Sequence, residues 1–122
     1  LAACAPHLQT IELVNDTPRV IESLYVYPSG AGNHGPSRGS LAPNATTTLH
    51  VKPGHLAGLA ESAMVKLDET TRDKPTASSE LEVTRPLHVV FYDRGHAPPD
   101  LSRQDVIGVE FILLQPRGGN GP

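Results

Sequence analysis

The chain has 122 residues, a length that fits one domain with its own buried core. Its formal net charge of -3 at pH 7 argues against a nucleic-acid-binding protein, because phosphate binding requires clustered Lys and Arg. The single cysteine excludes a disulfide framework within the chain and a Cys-rich zinc site. No apolar run reaches the length of a membrane-spanning helix, and no motif in the sequence predicts a cofactor.

The chain begins with Leu-Ala-Ala-Cys, a pattern typical of the bacterial lipobox. Small residues before the cysteine fit the groove of the signal peptidase, and the thiol then carries the lipid. The pattern predicts lipidation of Cys4, which would hold the domain at a membrane surface. Residues 1–7 would then be the remnant of a signal peptide and a tether, and Ala5 after the cysteine favours the outer membrane. The alternative is an ordinary cysteine that follows two alanines.

Most of the remaining chain has strand character, because β-branched and aromatic residues alternate with polar ones between turn signals. The segments with this character are 8–14, 20–27, 46–51, 64–67, 81–83, 87–92 and 106–114. Residues 15–18 predict a tight turn, and Gly108 in the last segment predicts a β-bulge. Long loops are expected at 28–43 and 93–105.

Two segments are harder to assign. Residues 55–62 are ambiguous, since Leu56, Leu59 and Ala60 fit a helical turn or two. Residues 68–79 are polar, contain one proline and predict an exposed loop.

The order of these segments predicts the fold class. About seven strands with almost no helix predict an antiparallel β-sandwich over residues 8–115, of immunoglobulin-like or transthyretin-like architecture. An open barrel is the competing fold. Residues 116–122 are rich in glycine and predict a flexible tail.

Residues 15–43 carry a recognisable set of short motifs. They are N-D-T from Asn15, I-x-x-L-Y-V-Y-P-S-G from Ile21, H-G-P from His34 and S-L-A-P from Ser40. This run resembles a group of uncharacterised bacterial exported and lipoprotein β-sandwich domains with the motifs N-x-T, I-x-x-L-Y-V-S-P-S-G, W-G and L-x-P-G. The chain departs from that pattern at His34, where the group has Trp, and at Asn44, where it has Gly. The resemblance implies a small exported β domain and implies no catalytic residue.

The candidate metal- or ligand-binding residues lie in the two long loops. Histidine is the commonest ligand of Zn²⁺ and Cu²⁺, and the chain has six. His34 lies in the first loop, and Asp93, His96 and Asp100 lie in or beside the second. If both loops lie at one end of the sandwich, these side chains could share a metal or small ligand. The competing interpretation is a set of scattered surface histidines and a solvated loop, because no two histidines have the i, i+4 spacing of a strong site.

The sequence predicts a protein without enzymatic activity, because it has neither a G-x-S-x-G nucleophile elbow nor a phosphate-binding glycine loop. The favoured function is a periplasmic lipoprotein module that binds another envelope protein through a loop cluster or a sheet edge. Such a module could be an accessory part of a secretion system or another envelope complex. The alternative is a periplasmic carrier of a metal or small ligand that uses His34 and His96.

Overall fold

Seven long strands build two sheets that pack face to face in the structure, a computed structural model that describes residues 7–113. The predictions for Cys4, for most of the 1–7 tether and for the 116–122 tail lie outside these residues. The strands are β1 (Gln9–Asp16), β2 (Ile21–Pro28), β3 (Thr46–Val51), β4 (Gly54–Ser62), β5 (Val65–Lys66), β6 (Arg72–Asp73), β7 (Thr76–Val83), β8 (Leu87–Asp93) and β9 (Val106–Phe111). The only helical element in the described chain is the short 3-10 helix Pro99–Ser102.

The strand order confirms the predicted all-β sandwich. One sheet has the order β3-β1-β8-β9 and the other has the order β2-β4-β7, while β5 and β6 form a small separate ribbon. The three-stranded sheet is antiparallel throughout, as is the β1–β3 pair. The β1–β8 and β8–β9 pairs are parallel, so the four-stranded sheet is mixed. β1, β8 and β9 therefore all end at the same end of the sandwich.

Alternating apolar residues from both sheets form one core. Ile11 and Leu13 of β1 lie beside Leu87 and Val89 of β8, which gives the four-stranded sheet an apolar inner face. Burial of one such side chain contributes about 1.5–3 kcal/mol to folding. The largest fully enclosed apolar side chains are Ile11, Leu13, Ile21, Leu24, Val83 and Val89.

The segment 55–62 is strand, so the helical interpretation was wrong. β4 is the central strand of its sheet and pairs with β2 on one side and β7 on the other. Leu56 and Ala60 pack with the core, while Ala57 is buried on the other face. Because β4 has apolar residues on both faces, it lacks a clear apolar-polar alternation, and its leucine and alanine spacing imitates a helix.

The predicted exposed loop at 68–79 is also partly wrong, because it contains β6 and the first half of β7. Ala77 is buried in the core, and Ser78 and Ser79 pair with Leu59 and Gly58 of β4. Small polar residues look like loop in the sequence. Here their pairing with a neighbouring strand, which is a tertiary contact, determines the structure.

The predicted bulge at Gly108 is wrong as well. The β8–β9 register passes through Gly108 without a shift, and the irregular position lies in β2 between Ile21 and Ser23. Gly108 leaves room for the helix Pro99–Ser102, since a Cβ there would lie 2.7 Å from Cδ2 of Leu101.

The N-D-T motif forms a buried hydrogen-bonded corner between β1 and β2. The Asn15 side chain is completely buried. Its Nδ2 donates to the carbonyl oxygens of Arg19, Leu41 and Ala42 at 2.7, 3.1 and 3.1 Å. Its Oδ1 accepts from the hydroxyl of Thr17 at 2.6 Å and from the Thr17 N–H at 3.2 Å. The motif therefore holds the tight turn and the end of the long loop together.

Four positions in residues 15–44 have positive φ, and one of them is Gly39, with φ of 115°. Gly30 and Gly35 have φ of 85° and 69°, and Asn44 has φ of 59°. Glycine adopts this left-handed region freely, and asparagine is the next most tolerant residue. Asn44 therefore takes a backbone conformation in which glycine would fit without steric cost.

Candidate functional site

The first half of the outer edge of β2 is closed by its own loop. A sheet edge can accept a strand from another protein where its backbone hydrogen-bonding groups are free. At β2 the Leu24 N–H donates to the Gly39 carbonyl at 3.1 Å, and the Leu24 carbonyl accepts from the Arg38 N–H at 2.6 Å. Ile21 and Leu41 exchange two further bonds at 2.9 and 2.8 Å. The loop that leaves β2 thus returns along it and occupies the edge from Ile21 to Leu24.

The edges of β7 and β9 meet each other at one corner. Thr76 and Ile112 exchange two backbone hydrogen bonds at 3.1 and 3.0 Å, which ties the start of β7 to the residue after β9. β7 also carries Glu80 and Glu82, and charged side chains on an edge strand deter pairing with another strand. Contact therefore closes only this corner, and the rest of the two edges carries charge, from Glu80 and Glu82 on β7 and from Glu110 on β9.

The outer edge of β3 has neither kind of protection within residues 7–113. β3 pairs with β1 alone, and its sequence TTTLHV contains no proline, lysine or carboxylate. The Asn15 N–H donates to the Ala45 carbonyl, so the alternation of antiparallel pairing turns Thr47 and Leu49 towards β1. The backbone N–H and C=O groups of Thr46, Thr48 and His50 then face outward. They form a free hydrogen-bonding edge, which is the candidate functional site.

A groove of about 340 Å³ opens beside the end of β3, towards β2 and β4. Its apolar lining comes from Val26, Pro28 and Leu56, together with Leu8, which is 49% exposed. Its charged lining residues are Arg38 and Lys52, and no carboxylate lines it. The remaining lining residues are Tyr27, His50 and Val51. An apolar side chain from an added strand could enter this groove, and an acidic neighbour would lie near the two cations.

The structure places His34 on aromatic side chains. Its ring centroid lies 3.8 Å from that of Tyr25 and 6.4 Å from that of Tyr27, both in β2. Its Nδ1 lies 2.6 Å from the Gly35 carbonyl oxygen. His34 thus packs on the aromatic side chains of β2, with its ring tilted by 37° from that of Tyr25.

The other predicted ligands lie on the four-stranded sheet and its loop. Asp93, at the end of β8, pairs with the Arg19 guanidinium. The side chain of His96 is exposed, and its backbone N–H donates to the Asp93 backbone carbonyl at 2.9 Å. Asp100 lines a separate groove of about 210 Å³ with His88. Among residues 7–113, no three His, Cys, Asp or Glu side chains form a group that could hold a metal ion. His34 stacks on the opposite sheet, and none of its described contacts involves His96, Asp93 or Asp100.

A polar cluster that the sequence did not reveal surrounds His88. Its Nδ1 lies 2.5 Å from Oε1 of Glu12, and its Nε2 lies 3.3 Å from Oδ2 of Asp105. Two bonds from Arg103 to Asp105, at 3.1 and 2.6 Å, are the main reason that the pKa of Asp105 lies below its usual value. The members come from β1, β8 and the loop before β9, so only the sheet register could have shown the cluster.

Comparisons with family models, with curated proteins and with solved structures find no match. Within residues 7–113, no helix has the length and apolarity needed to cross a membrane. The geometry of the β3 edge is therefore the observation on which a function can be argued.

Proposed function

We propose that the protein is a non-enzymatic module that binds another protein by adding a strand to the outer edge of β3. In this proposal the module is a periplasmic lipoprotein, held at the outer membrane through a lipid on Cys4. Its partner is another envelope protein, for instance a component of a secretion or envelope complex. The lipobox pattern supports the location, and the open edge of β3 supports the mode of binding.

The single observation that carries the proposal is the difference between β3 and the other edge strands. Residues 38–41 cover the β2 edge from Ile21 to Leu24, and the corner between β7 and β9 is joined by the Thr76–Ile112 pair. Strand addition needs a row of free N–H and C=O groups, and it gains specificity from pockets for alternate side chains. The β3 edge offers the free N–H and C=O groups, and the adjoining groove offers a pocket for a side chain.

The groove also defines the chemistry of the partner. Apolar walls with Arg38 and Lys52 and without a carboxylate fit an extended segment that carries an apolar residue beside Asp or Glu. Oppositely charged groups across an interface raise the association rate and fix the register of binding. We therefore expect an acidic partner segment and binding that weakens as salt increases.

Substitution of Thr48 tests the proposal directly. Thr48→Pro removes an outward N–H and leaves the bonds to β1 in place, because proline is tolerated at such a position of an edge strand. Thr48→Ala is the matched control, since it changes the same exposed side chain and keeps the N–H. Thr47→Pro is a second control that should destabilise the fold, because the Thr47 backbone faces β1.

The assay is mild detergent extraction of the native full-length protein, followed by mass spectrometry of bound proteins. We expect wild type and Thr48→Ala to recover the same stoichiometric envelope partner, and we expect Thr48→Pro to lose it with little change in melting temperature. Cys4→Ser should also lose the partner if the lipid places the module beside it. Equal recovery by Thr48→Pro and wild type would contradict binding at the β3 edge.

A further inference from the structure

A cleft of about 550 Å³ opens at the end of the sandwich where β8 and β9 finish. Its apolar surface includes Phe111 of β9 and the two residues after it, Ile112 and Leu113, which are 39% and 40% exposed. Its charged lining residues are Arg19, Asp93 and Arg94. A cavity of this size falls within the range of small-molecule sites, which are mostly apolar and have a few placed polar groups.

The backbone of Arg19 is fixed by the buried corner between β1 and β2. Its carbonyl oxygen accepts from Asn15 Nδ2 at 2.7 Å. Its N–H donates to the Thr17 hydroxyl at 3.2 Å. Arg19 therefore enters the cleft from a rigid support, so little further ordering is needed when a ligand binds.

Within residues 7–113, one terminal nitrogen of the Arg19 guanidinium has a hydrogen-bond partner and the other has none. It pairs with Asp93 through Nη2, and its Cζ lies 5.0 Å from the centroid of the Phe111 ring, a cation–π distance. Its Nη1 is buried and has no hydrogen-bond partner within residues 7–113. A buried donor without an acceptor is costly to the fold, and a small rotation of the guanidinium would present this nitrogen to an oxygen atom in the cleft.

The cleft offers two guanidinium groups to an anionic ligand. Two guanidinium groups, of Arg19 and Arg94, face one carboxylate, Asp93, among the lining residues. The Arg94 side chain is 78% exposed, and its Nε lies 3.4 Å from Oε2 of Glu110. An exposed pair of this kind contributes little, so Arg94 can turn towards a ligand at small cost. Arginine is also the side chain best suited to bind a carboxylate through two hydrogen bonds.

We propose that this cleft binds an organic carboxylate with an apolar body, whose carboxylate contacts Arg19 and whose apolar part lies against Ile112 and Leu113. The source of such a group is either a free organic acid or the C-terminal residue of a peptide. The cleft shares no lining residue with the groove beside β3. The proposal is therefore independent of strand addition and stands or falls by itself.

The test is an NMR titration of the full-length protein with three small probes. N-acetyl-leucine carries the carboxylate, N-acetyl-leucinamide has the same body without the charge, and hexanoate represents a free acid. We expect N-acetyl-leucine to bind with a Kd of about 1 mM and to shift the Arg19 Nε–Hε and Leu113 methyl signals. We expect the amide to bind at least about 10-fold more weakly, because charge-assisted hydrogen bonds are the stronger ones. If N-acetyl-leucine binds more tightly than hexanoate, the C-terminal residue of a peptide is the better ligand. If hexanoate binds more tightly, a free organic acid is the better ligand.

Variants separate the roles of the lining residues. Arg19→Gln should weaken N-acetyl-leucine about 10-fold or more, and Arg94→Gln only about 2-fold. Leu113→Glu lies on an exposed wall and should abolish binding without disturbing the core, which keeps the test valid if Arg19→Gln fails to fold. Equal affinity for acid and amide would overturn the proposal. So would the absence of binding by both acids, or shifts that do not involve Arg19 and Leu113.

Discussion

The side-chain amide of Asn15 donates to the carbonyl oxygen of Leu41 at 3.1 Å, although 26 residues separate them in the chain. The bond joins the end of β1 to the place where the long loop completes its return along β2. The same amide holds the backbone of Arg19 on the other side of the turn. One buried side chain thus fixes both the cover of the β2 edge and the support of the terminal cleft.

Replacement of Asn15 should therefore destabilise the whole domain. Asn15→Ala removes three hydrogen bonds to carbonyl oxygens and the acceptor of the Thr17 hydroxyl, although the Leu41 and Ala42 carbonyls keep their bonds from backbone N–H groups. We expect a loss of about 2 kcal/mol in the free energy of unfolding. Asn15→Asp has the same size but no N–H donors, so at neutral pH it should cost at least as much. Urea denaturation of both variants measures the effect. A loss below about 1 kcal/mol in both variants would show that the corner is not a major source of stability.

The left-handed backbone at Asn44 predicts that glycine and alanine at this position differ in their effect on stability. Asn44→Gly should be neutral or slightly stabilising, because glycine adopts positive φ without steric cost. Asn44→Ala should lose about 1 kcal/mol, since an alanine Cβ is strained in that conformation. Thermal unfolding of the two variants decides the point. Equal melting temperatures would mean that backbone strain at this position is negligible.

The contact between the His34 and Tyr25 rings predicts that the stability of the fold depends on the size of the ring at position 34. His34→Trp should preserve or improve the stack, and His34→Ala should lose about 0.5–1 kcal/mol. His96→Ala is the matched control, because His96 is an exposed loop histidine outside the aromatic contacts found within residues 7–113. Denaturant titration compares the three variants. A greater loss from His96→Ala than from His34→Ala would contradict the role assigned to the stack.

Arg103 should control the titration of Asp105. Hydrogen bonds from Arg103 lower the pKa of Asp105, so Arg103→Gln should raise that pKa towards its usual value. A carboxylate with a depressed folded pKa stabilises the fold above its unfolded pKa and ceases to do so as pH falls through the folded value. The difference in stability between wild type and Arg103→Gln should therefore be present at neutral pH and vanish in acid.

NMR titration of the Asp105 carboxyl carbon measures this shift. Arg85→Gln is the control, since Arg85 donates to the Gln104 carbonyl and not to the carboxylate. We expect the control to leave the Asp105 titration unchanged. An unchanged pKa in Arg103→Gln would mean that another group determines it.

The sequence predicted those elements whose local pattern agrees with their environment. β3 matches its predicted bounds, and β8 differs from the prediction by one residue, because both have strong strand composition. β4 was not predicted because apolar residues on both of its faces remove the alternation. The start of β7 was missed because Ala77-Ser78-Ser79 has weak strand propensity, and only pairing with β4 places it in the sheet.

The sites were harder to predict than the fold. Asp93 was a candidate and does line the terminal cleft, but its partner Arg19 lies 74 residues earlier and carries no sequence signal of that contact. The outward N–H groups of Thr46, Thr48 and His50 belong to the backbone, so no side-chain motif marks them. Their role depends on which strand lies at the edge of the sheet, and that follows from topology.

Amide hydrogen exchange at β3, measured with and without the captured partner, tests the central claim most directly. In the free protein we expect Thr46, Thr48 and His50 to exchange fast and Thr47 and Leu49 to exchange slowly, because only the latter two bond to β1. With the partner bound, the three fast amides should become protected. Protection of these amides in the isolated protein, or protection by the partner at another surface alone, would contradict strand addition at β3.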